Sequence, residues 1–289
     1  MKGIVLAGGT GSRLYPLTLA TSKQLLPVYD KPMIYYPLTT LMLAGVREML
    51  IVTTPRDQDE FRRLLGDGAR WGLSFEYVTQ PEPRGIADAL RLARGFLKGG
   101  PSALILGDNI FYGHGLPKIL RAAAASNDGA TIFGYWVATP SRYGVLDLDA
   151  SGTPRAIVEK PATAPSHFAV TGLYFYDGQA PDIADTLKPS ARGELEITDV
   201  NNRYLSQGRL RSEILGRGFA WLDTGTPESL ARASNFVETM EERQGLKIGS
   251  PEEVAWRMGL IDAERLIALA RALEPSPYAT YLAALPSRG

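Results

Sequence analysis

The 289-residue chain contains no cysteine and only two histidines, His114 and His167. Disulfide bonds, thiolate metal sites and a cysteine nucleophile are therefore excluded, and a bound metal would be held by oxygen atoms. The chain also lacks an excess of charge of either sign, because 31 Lys and Arg residues balance 31 Asp and Glu residues. The net charge thus gives no indication of nucleic acid or an anionic membrane surface as a partner.

Long apolar runs are missing as well. The apolar run at residues 4–6 reaches glycines and then Arg13, which makes it too short for a signal peptide. No later run approaches the length that crosses a membrane. We therefore expect a cytoplasmic protein that acts on small molecules. Its 45% hydrophobic content is enough for a substantial core, in one large α/β domain or two smaller ones.

Up to Asp108 the sequence alternates short apolar runs with amphipathic stretches. The predicted strands lie at residues 3–6, 49–52, 75–78 and 103–106, and the predicted helices near 37–44, 57–65 and 86–97. This alternation predicts an α/β fold with a Rossmann-like, mostly parallel sheet flanked by helices. Ligands of such folds bind outside the carboxyl ends of the strands, and Asp108 follows one of these ends.

Beyond Asp108 the pattern changes twice. Consecutive strand-like runs at residues 131–137, 144–146 and 169–176 predict an inserted β-rich part. After Asp223 the sequence becomes helical, and three helix starts have a capping residue before a first-turn proline. These starts are Thr226-Pro227, Ser250-Pro251 and Ser276-Pro277, and Glu253 is placed to complete a capping box with Ser250.

A glycine-rich segment, GGTGSR at residues 8–13, directly follows the first predicted strand. Backbone N–H groups of such a loop can converge on phosphate oxygens, and glycine permits the close approach. A P-loop would need a Gly-Lys-Ser/Thr sequence, and a dinucleotide fingerprint would need Gly or Ala where this chain has Leu14. Taken alone, a loop of this kind is as often a structural turn as a binding site.

Two cations accompany this loop. Arg13 ends it, and Lys23 follows one short segment later. Cations in this position suit a triphosphate whose pyrophosphate departs, because they stabilise the charge that accumulates on the leaving group.

The wider pattern resembles the signature of the sugar-1-phosphate nucleotidylyltransferases. The segment GGTGSRLYPLT at residues 8–18 is followed by KQLLPV at 23–28. Further matching segments follow in order at residues 29–38, 107–113, 159–161, 170–177, 192–199 and 221–226. The resemblance therefore runs nearly end to end. It is strongest to members that transfer a thymidylyl group from dTTP to glucose 1-phosphate, giving dTDP-glucose for dTDP-rhamnose or another deoxysugar.

The resemblance implies a division of the chain. Residues 1–225 form the transferase domain, with a nucleotide-binding half at 1–108 and a sugar-phosphate-binding half at 109–225. Residues 226–289 form a helical region used for packing, oligomerisation or regulation. The implied assembly is a homotetramer.

The implied cofactor is Mg²⁺, which prefers a few carboxylates together with phosphate oxygens and waters. Asp108 and Asp223 are the candidate metal ligands. Asp108 could instead cap the turn after its strand. The residues alone favour neither the metal ligand nor the cap. Asp223 is less suited to cap the next helix, because Thr226 before Pro227 fills that role better.

The resemblance also implies the remaining site residues. The catalytic residues are Arg13, Lys23, Asp108, Lys160 and Asp223. The nucleotide-binding residues are Leu6, Gly8, Gly9, Thr10, Gly11, Ser12, Arg13, Gln24, Gln80 and Gly85. The sugar-phosphate-binding residues are Gly144, Glu159, Lys160, Val170, Thr171 and Arg192. Glutamine offers donors and acceptors that suit a pyrimidine edge, whereas Arg84 stands where the family pattern has aspartate.

A second, regulatory nucleotide-sugar site is implied at Gly113, His114, Arg217 and Arg257. Three alternatives remain. One is a related transferase that uses UTP, CTP or another sugar. Another is a non-catalytic regulatory subunit, which would have lost residues such as Arg13 or Lys23. The third is a nicotinamide-binding oxidoreductase, which Leu14 disfavours.

Overall fold

A computed structural model describes residues 1–126 and 128–287. The strands of the first half are β1 (Lys2–Ala7), β2 (Pro27–Val28), β3 (Lys31–Pro32), β4 (Glu48–Thr53), β5 (Ser74–Thr79) and β6 (Ser102–Leu106). The helices between them are α1 (Tyr35–Leu43), α2 (Gln58–Leu65), α3 (Asp88–Leu92) and α4 (Arg94–Leu97). The predicted helix at residues 86–97 is thus two short helices that meet at Ala93.

The second half adds more strands than the sequence predicted. They are β7 (Asn109–Gly113), β8 (Ala130–Trp136), β9 (Gly144–Leu148), β10 (Pro154–Glu159), β11 (Phe168–Tyr176), β12 (Leu210–Leu215) and β13 (Phe219–Asp223). The accompanying helices are α5 (Leu116–Ala125), α6 (Ala180–Thr186) and α7 (Ile197–Ser206). Four helices complete the described chain, α8 (Pro227–Gln244), α9 (Pro251–Arg257), α10 (Ala263–Arg271) and α11 (Pro277–Ala284).

A nine-stranded sheet forms the centre of the molecule. Strands β6, β1, β4 and β5 lie side by side and parallel. The long strand β11 runs antiparallel to β6 and continues past it to pair with β9, and it also pairs with β8. This confirms the mostly parallel sheet flanked by helices and shows that the β-rich part extends the same sheet.

Alternating side chains cover the two faces of this sheet with separate apolar clusters. On β1, Val5 belongs to one cluster and Ile4 to the other, and on β11 Leu173 and Tyr174 divide in the same way. All four are nearly or fully buried. Because successive side chains of a strand point to opposite faces, one sheet can bury helices on both sides.

A separate two-stranded ribbon brings distant segments together. In it β7 pairs with β13, with Asn109 opposite Asp223. The backbone N–H and side-chain hydroxyl of Thr224 both donate to the carbonyl of Asp108, at 3.2 and 2.8 Å. This pairing places the end of β13 beside the carboxyl end of β6, although more than a hundred residues separate them.

The C-terminal helices begin where the capping residues predicted. Thr226, Ser250 and Ser276 each accept a backbone N–H from the first helical turn. The capping box was predicted at the wrong helix, however. The Glu253 carboxylate accepts instead from Arg257 and Tyr281, whereas Thr226 and Ser229 form the reciprocal pair. Among the described residues, no helix combines the length and apolar character needed to cross a membrane.

Candidate active site

A cleft of about 200 Å³ opens beyond the carboxyl ends of the central strands. Eight of the predicted site residues line it: Arg13, Asp108, Gly144, Glu159, Lys160, Val170, Arg192 and Asp223. They come from seven separate stretches of the chain. The fold therefore gathers predicted nucleotide, metal and sugar-phosphate residues around one opening.

We call one side of the cleft the nucleotide end, formed by residues 8–13 with Lys23, Gln24 and Gln80. Gly9 and Gly11 have φ values of +97° and +62°, which residues with a Cβ rarely adopt. The Thr18 hydroxyl donates to the Gly11 carbonyl at 2.8 Å. The loop conformation is therefore fixed by glycine and by neutral hydrogen bonds.

Two buried glutamines flank the start of this loop. Gln24 Nε2 donates to the Gly8 carbonyl at 3.2 Å, and its Oε1 accepts from the Ser22 hydroxyl at 2.7 Å. Gln80 Nε2 donates to Asp88 at 2.9 Å. Gln24 thus supports the loop with both ends of its amide, while Gln80 uses its nitrogen and leaves its oxygen toward Gly8.

Lys23 and Asp108 form an ion pair between the loop and the end of β6. Asn109 Nδ2 also donates to Asp108, at 2.9 Å. Burial acts to raise the pKa of Asp108, but the Lys23 ammonium and these hydrogen bonds outweigh it, so its pKa lies below the ordinary value. Asp108 is therefore held as a carboxylate.

The β7–β13 ribbon places Asp223 near Asp108, because Asp223 pairs with the adjacent Asn109. Burial and the negative charge of Asp108 raise the pKa of Asp223 above its ordinary value, against the opposing effect of Lys23 and Arg13. A Cβ on Gly225 would lie 3.0 Å from Asp223 Oδ1 and 3.1 Å from Arg13 Nη2, so the carboxylate and the guanidinium flank the same glycine.

This pair fits a magnesium site completed by substrate. Within residues 1–126 and 128–287 no three acidic or histidine side chains form a metal-binding group. Mg²⁺ is commonly bound by one or two carboxylates plus substrate phosphates and waters. The negative charge of Asp108 contributes to the raised pKa of Asp223, and a cation bound by both carboxylates would offset this repulsion.

The opposite side of the cleft, which we call the sugar end, is formed by Gly144, Glu159, Lys160, Arg192 and Thr198. Glu159 Oε2 accepts from the Thr198 hydroxyl at 2.6 Å. Gly144 lies against this pair, because a Cβ there would be 3.1 Å from Thr198 Oγ1 and 3.3 Å from Glu159 Oε2. The sugar end thus presents a fixed carboxylate packed against a glycine, where a side chain would be crowded.

Arg192 lies within a group of carboxylates. Its Nη2 is 2.7 Å from Glu196 Oε2, 3.3 Å from Glu194 Oε2 and 3.5 Å from Glu159 Oε1. Burial together with Glu196 and Glu159 raises the pKa of the nearby Asp199. Nε and Nη2 of the Arg192 guanidinium therefore already have carboxylate partners, and an incoming phosphate would compete with these carboxylates for them.

Lys160 has a φ of +42°, uncommon for a residue with a side chain. Its backbone N–H donates to the Tyr143 carbonyl at 3.0 Å, which helps to hold this conformation. Nζ lies 3.6 Å from Glu159 Oε1. Strained backbone of this kind is concentrated at binding and catalytic sites.

Some predicted residues lie elsewhere. Thr171 is fully buried with an unpartnered hydroxyl and does not line the cleft, since Val170 and Gly172 face the cleft on the same strand. A Cβ on Gly85 would lie 2.4 Å from the Leu195 carbonyl oxygen, so backbone packing alone requires glycine there. Leu6 packs against an apolar cluster. Arg84 is paired with Glu82 at 3.0 Å near the surface.

The structure adds cleft residues that the sequence did not single out. Arg142, Tyr143, Thr198 and Trp221 line the cleft. Trp221 Nε1 donates to Asn109 Oδ1 at 2.6 Å, across the β7–β13 ribbon. Trp221 and Thr198 lie within segments that match the family, so the sequence could have indicated them. Arg142 lies outside these segments, and no sequence pattern indicated it.

The residues predicted to be regulatory lie on three different parts of the fold. Gly113 pairs with Phe219, and the turn that contains Arg217 leads into that strand. His114 and Arg217 are exposed. Arg257, on α9, is paired with Glu253 at 2.7 Å. Gly113 also lines a groove of about 210 Å³, with the α8–α9 loop on its other side.

Comparisons with known proteins agree with this geometry. A model of the nucleotidyl transferase family matches residues 2–240. The glucose-1-phosphate thymidylyltransferase of Xanthomonas campestris pv. campestris strain B100 is 59% identical over 288 residues, 100% of this chain and 98% of the relative. The enzyme of the same name from Mycobacterium tuberculosis strain CDC 1551 is 57% identical over 288 residues, 100% of both chains.

A solved structure extends the comparison. It is a Bacillus anthracis chain assigned as a glucose-1-phosphate thymidylyltransferase, in complex with sucrose. Its identity is 42% and its TM-score 0.76, covering 82% of this chain and 94% of that one. The chain described here therefore belongs to the nucleotidyl transferase family and, within it, to the glucose-1-phosphate thymidylyltransferases.

Proposed function

We propose that the protein transfers a thymidylyl group from dTTP to α-D-glucose 1-phosphate, giving dTDP-glucose and pyrophosphate. One observation carries this proposal: Asp108 and Asp223 lie between a glycine loop with two cations and a sugar end with Glu159, Lys160 and Arg192. Because these substrates and the product are metabolites of the cytoplasm, we place the reaction there. The dTDP-glucose formed would be the precursor of dTDP-rhamnose or another deoxysugar.

The reaction is a direct displacement. A phosphate oxygen of glucose 1-phosphate attacks the α-phosphorus of dTTP, and the bond from that phosphorus to the bridging oxygen breaks as pyrophosphate leaves. No enzyme nucleophile is needed, so the protein contributes position and charge. Arg13 and Lys23 would stabilise the departing pyrophosphate, while Lys160 and Arg192 would hold the incoming phosphate.

Asp108 and Asp223 would hold Mg²⁺ in this arrangement. When bound, the ion neutralises charge between the nucleotide and the incoming phosphate. Since Lys23 is paired with Asp108, its ammonium is positioned to move between that carboxylate and a nucleotide phosphate.

Pyrophosphate release with glucose 1-phosphate and Mg²⁺, measured separately with dTTP, UTP, CTP, ATP and GTP, tests the substrate assignment. We expect the highest kcat/KM with dTTP. A clear preference for UTP would contradict this and indicate the alternative, a related transferase that uses UTP or a different sugar phosphate.

We also propose that the groove lined by Gly113, together with His114, Arg217 and Arg257, takes part in regulation by a nucleotide sugar. Support comes from its position: the β7 strand that borders it also carries Asn109 beside Asp108. Product titration of Arg217→Ala tests this, since inhibition identical to that of the unmodified protein would remove Arg217 from such a site.

The assembly that we propose is a homotetramer. Apolar side chains that remain exposed on the single chain, including Trp136 and Ile214 near the β12 edge of the sheet, are consistent with contacts between subunits. Light scattering should give four times the chain mass of 31.4 kDa. The mass of a single chain would contradict this assembly.

A further inference from the structure

Gln80, directly after β5, has an amide whose orientation is fixed by its neighbours. The side chain is buried, with 6% of the residue exposed. Its Nε2 donates to Asp88 Oδ2 at 2.9 Å and to the Gly85 carbonyl at 3.3 Å. An ionised carboxylate and a carbonyl can only accept. A reversed amide would place its oxygen against both of these oxygens, so the nitrogen must face Asp88.

The other end of the same amide is left as a free acceptor. Within residues 1–126 and 128–287 no protein group donates to Gln80 Oε1. This oxygen lies at the glycine loop, because a Cβ on Gly8 would be 3.4 Å from it. Gln24, by contrast, already uses both ends of its amide on Gly8 and Ser22. The nucleotide end therefore offers one fixed amide oxygen beside Gly8.

Asp88 is itself held as an acceptor by an ion-pair chain that reaches the surface. Arg91 Nη1 lies 3.3 Å from Asp88 Oδ1, and Arg91 Nε lies 2.8 Å from Asp185 Oδ1. Both oxygens of Asp88 thus receive a donor, one from Arg91 and one from Gln80. Because a guanidinium can only donate, the Asp88 oxygen that faces Arg91 acts as an acceptor.

We propose that Asp88 is a positioning residue that selects the nucleotide base by fixing the orientation of the Gln80 amide. A fixed acceptor matches thymine and uracil, whose N3 carries a proton. Cytosine N3 is an unprotonated acceptor, and it would face Oε1 lone pair to lone pair. This inference rests on the proposed function, since it places the base beside Gly8 and Gln80.

The test is the base preference of Asp88→Asn, measured as kcat/KM for dTTP, dUTP and dCTP by pyrophosphate release with glucose 1-phosphate. Asparagine can present an NH₂ group to Gln80, so only the longer 3.3 Å contact with the Gly85 carbonyl then opposes the reversed amide. We expect the dTTP to dCTP ratio to fall by roughly tenfold, the scale of one hydrogen bond of this kind. The dTTP to dUTP ratio should not change, because both bases carry the N3 proton.

Two matched variants separate this role from a merely structural one. Asp88→Glu keeps a carboxylate at this position. Its dTTP to dCTP ratio should therefore equal that of the unmodified protein. Arg94→Ala removes the neighbouring ion pairs with Asp182 and Asp185 on the same surface, and it should leave the ratio unchanged. Circular dichroism establishes that each variant is folded. If Asp88→Asn does not fold, Asp88→Ser provides the neutral side chain for the same comparison.

An equal loss of kcat/KM for all three triphosphates, or an unchanged ratio in a folded neutral variant, would overturn the positioning role of Asp88. A different result would contradict the proposed function itself: an unmodified protein that releases no pyrophosphate from dTTP. The two failures are therefore distinguishable in one set of assays.

Discussion

The two ends of the cleft are built from different interactions. At the nucleotide end, glycine conformations and neutral hydrogen bonds from Thr18 and Gln24 fix the loop. At the sugar end, Arg192 and Glu159 are held by charged contacts with one another and with Glu196. The nucleotide end thus presents a preformed backbone, whereas the sugar end presents charges that already have partners.

This difference indicates how each end of the cleft would select its ligand. Arg13 has no carboxylate within ion-pair distance among the described residues, so its charge is available to a triphosphate. Arg192 is surrounded by carboxylates, so a bare anion gains little from replacing them. A sugar phosphate can use the phosphate contact and also donate its hydroxyls to the carboxylates. The sugar end should therefore favour the complete sugar phosphate over inorganic phosphate.

Among substitutions that change only one end of the cleft, the largest effect should come from Lys23→Ala. Removing the ammonium leaves the Asp108 and Asp223 carboxylates uncompensated and removes a cation from the leaving group. We expect kcat to fall by about 10²–10³-fold in steady-state assays. Lys118→Ala, an exposed lysine on α5, is the control. A rate within twofold of the unmodified protein would remove Lys23 from the chemistry.

Arg192→Ala should separate the two ends kinetically. The KM for glucose 1-phosphate should rise about 10–100-fold, because a charge-assisted contact with its phosphate is lost. The KM for dTTP should stay within threefold. Arg155→Ala, an exposed arginine on β10, is the matched control. Equal increases in both KM values would show that the two ends are not independent.

Gly85→Ala tests the junction between the ends. Its Cβ would overlap the Leu195 carbonyl at 2.4 Å, and its φ is +100°. We expect a loss of about 2–4 kcal/mol in the free energy of unfolding, measured with urea. Gly245→Ala also has a positive φ, +65° with ψ +20° in the left-handed helical region, but its Cβ would have nothing within 4 Å, and it should cost only about 1–2 kcal/mol. Equal losses in the two variants would mean that the backbone conformation, and not the packing against Leu195, determines the loss of stability.

The smallest effect should come from Thr198→Val, which removes the 2.6 Å hydrogen bond to Glu159 but keeps the shape of the side chain. We expect the KM for glucose 1-phosphate to rise about three- to tenfold, because this factor corresponds to the loss of one hydrogen bond to a charged group. Thr186→Val, distant from the cleft on α6, is the control. Unchanged kinetics would show that Glu159 is positioned by other contacts.

The sequence predicted the local structure of the nucleotide end better than the contacts of the sugar end, for a physical reason. The strands of the parallel sheet are short apolar runs, and the glycine loop follows one of them directly, so periodicity and local motifs were sufficient. At the sugar end, Glu159 and Thr198 meet only because α7 and β10 pack together. No local pattern encodes that contact.

Two further differences show the same limit. The ribbon of β7 and β13 was not predicted, because Asn109–Gly113 and Phe219–Asp223 become strands by pairing with one another. Gly85 was assigned to the nucleotide, yet its conformation and close packing on Leu195 already require glycine. A motif identifies which residues recur together, whereas only the fold shows what each one contacts.

The central claim, that Asp108 and Asp223 hold the metal between two substrates, is tested most directly by pyrophosphate release from dTTP and glucose 1-phosphate. The assay compares the unmodified protein with Asp223→Asn over a Mg²⁺ titration. We predict a loss of about 10³-fold or more in kcat/KM at low Mg²⁺, because a neutral amide is a weaker ligand than a carboxylate. Undiminished activity of Asp223→Asn across the titration would contradict the account.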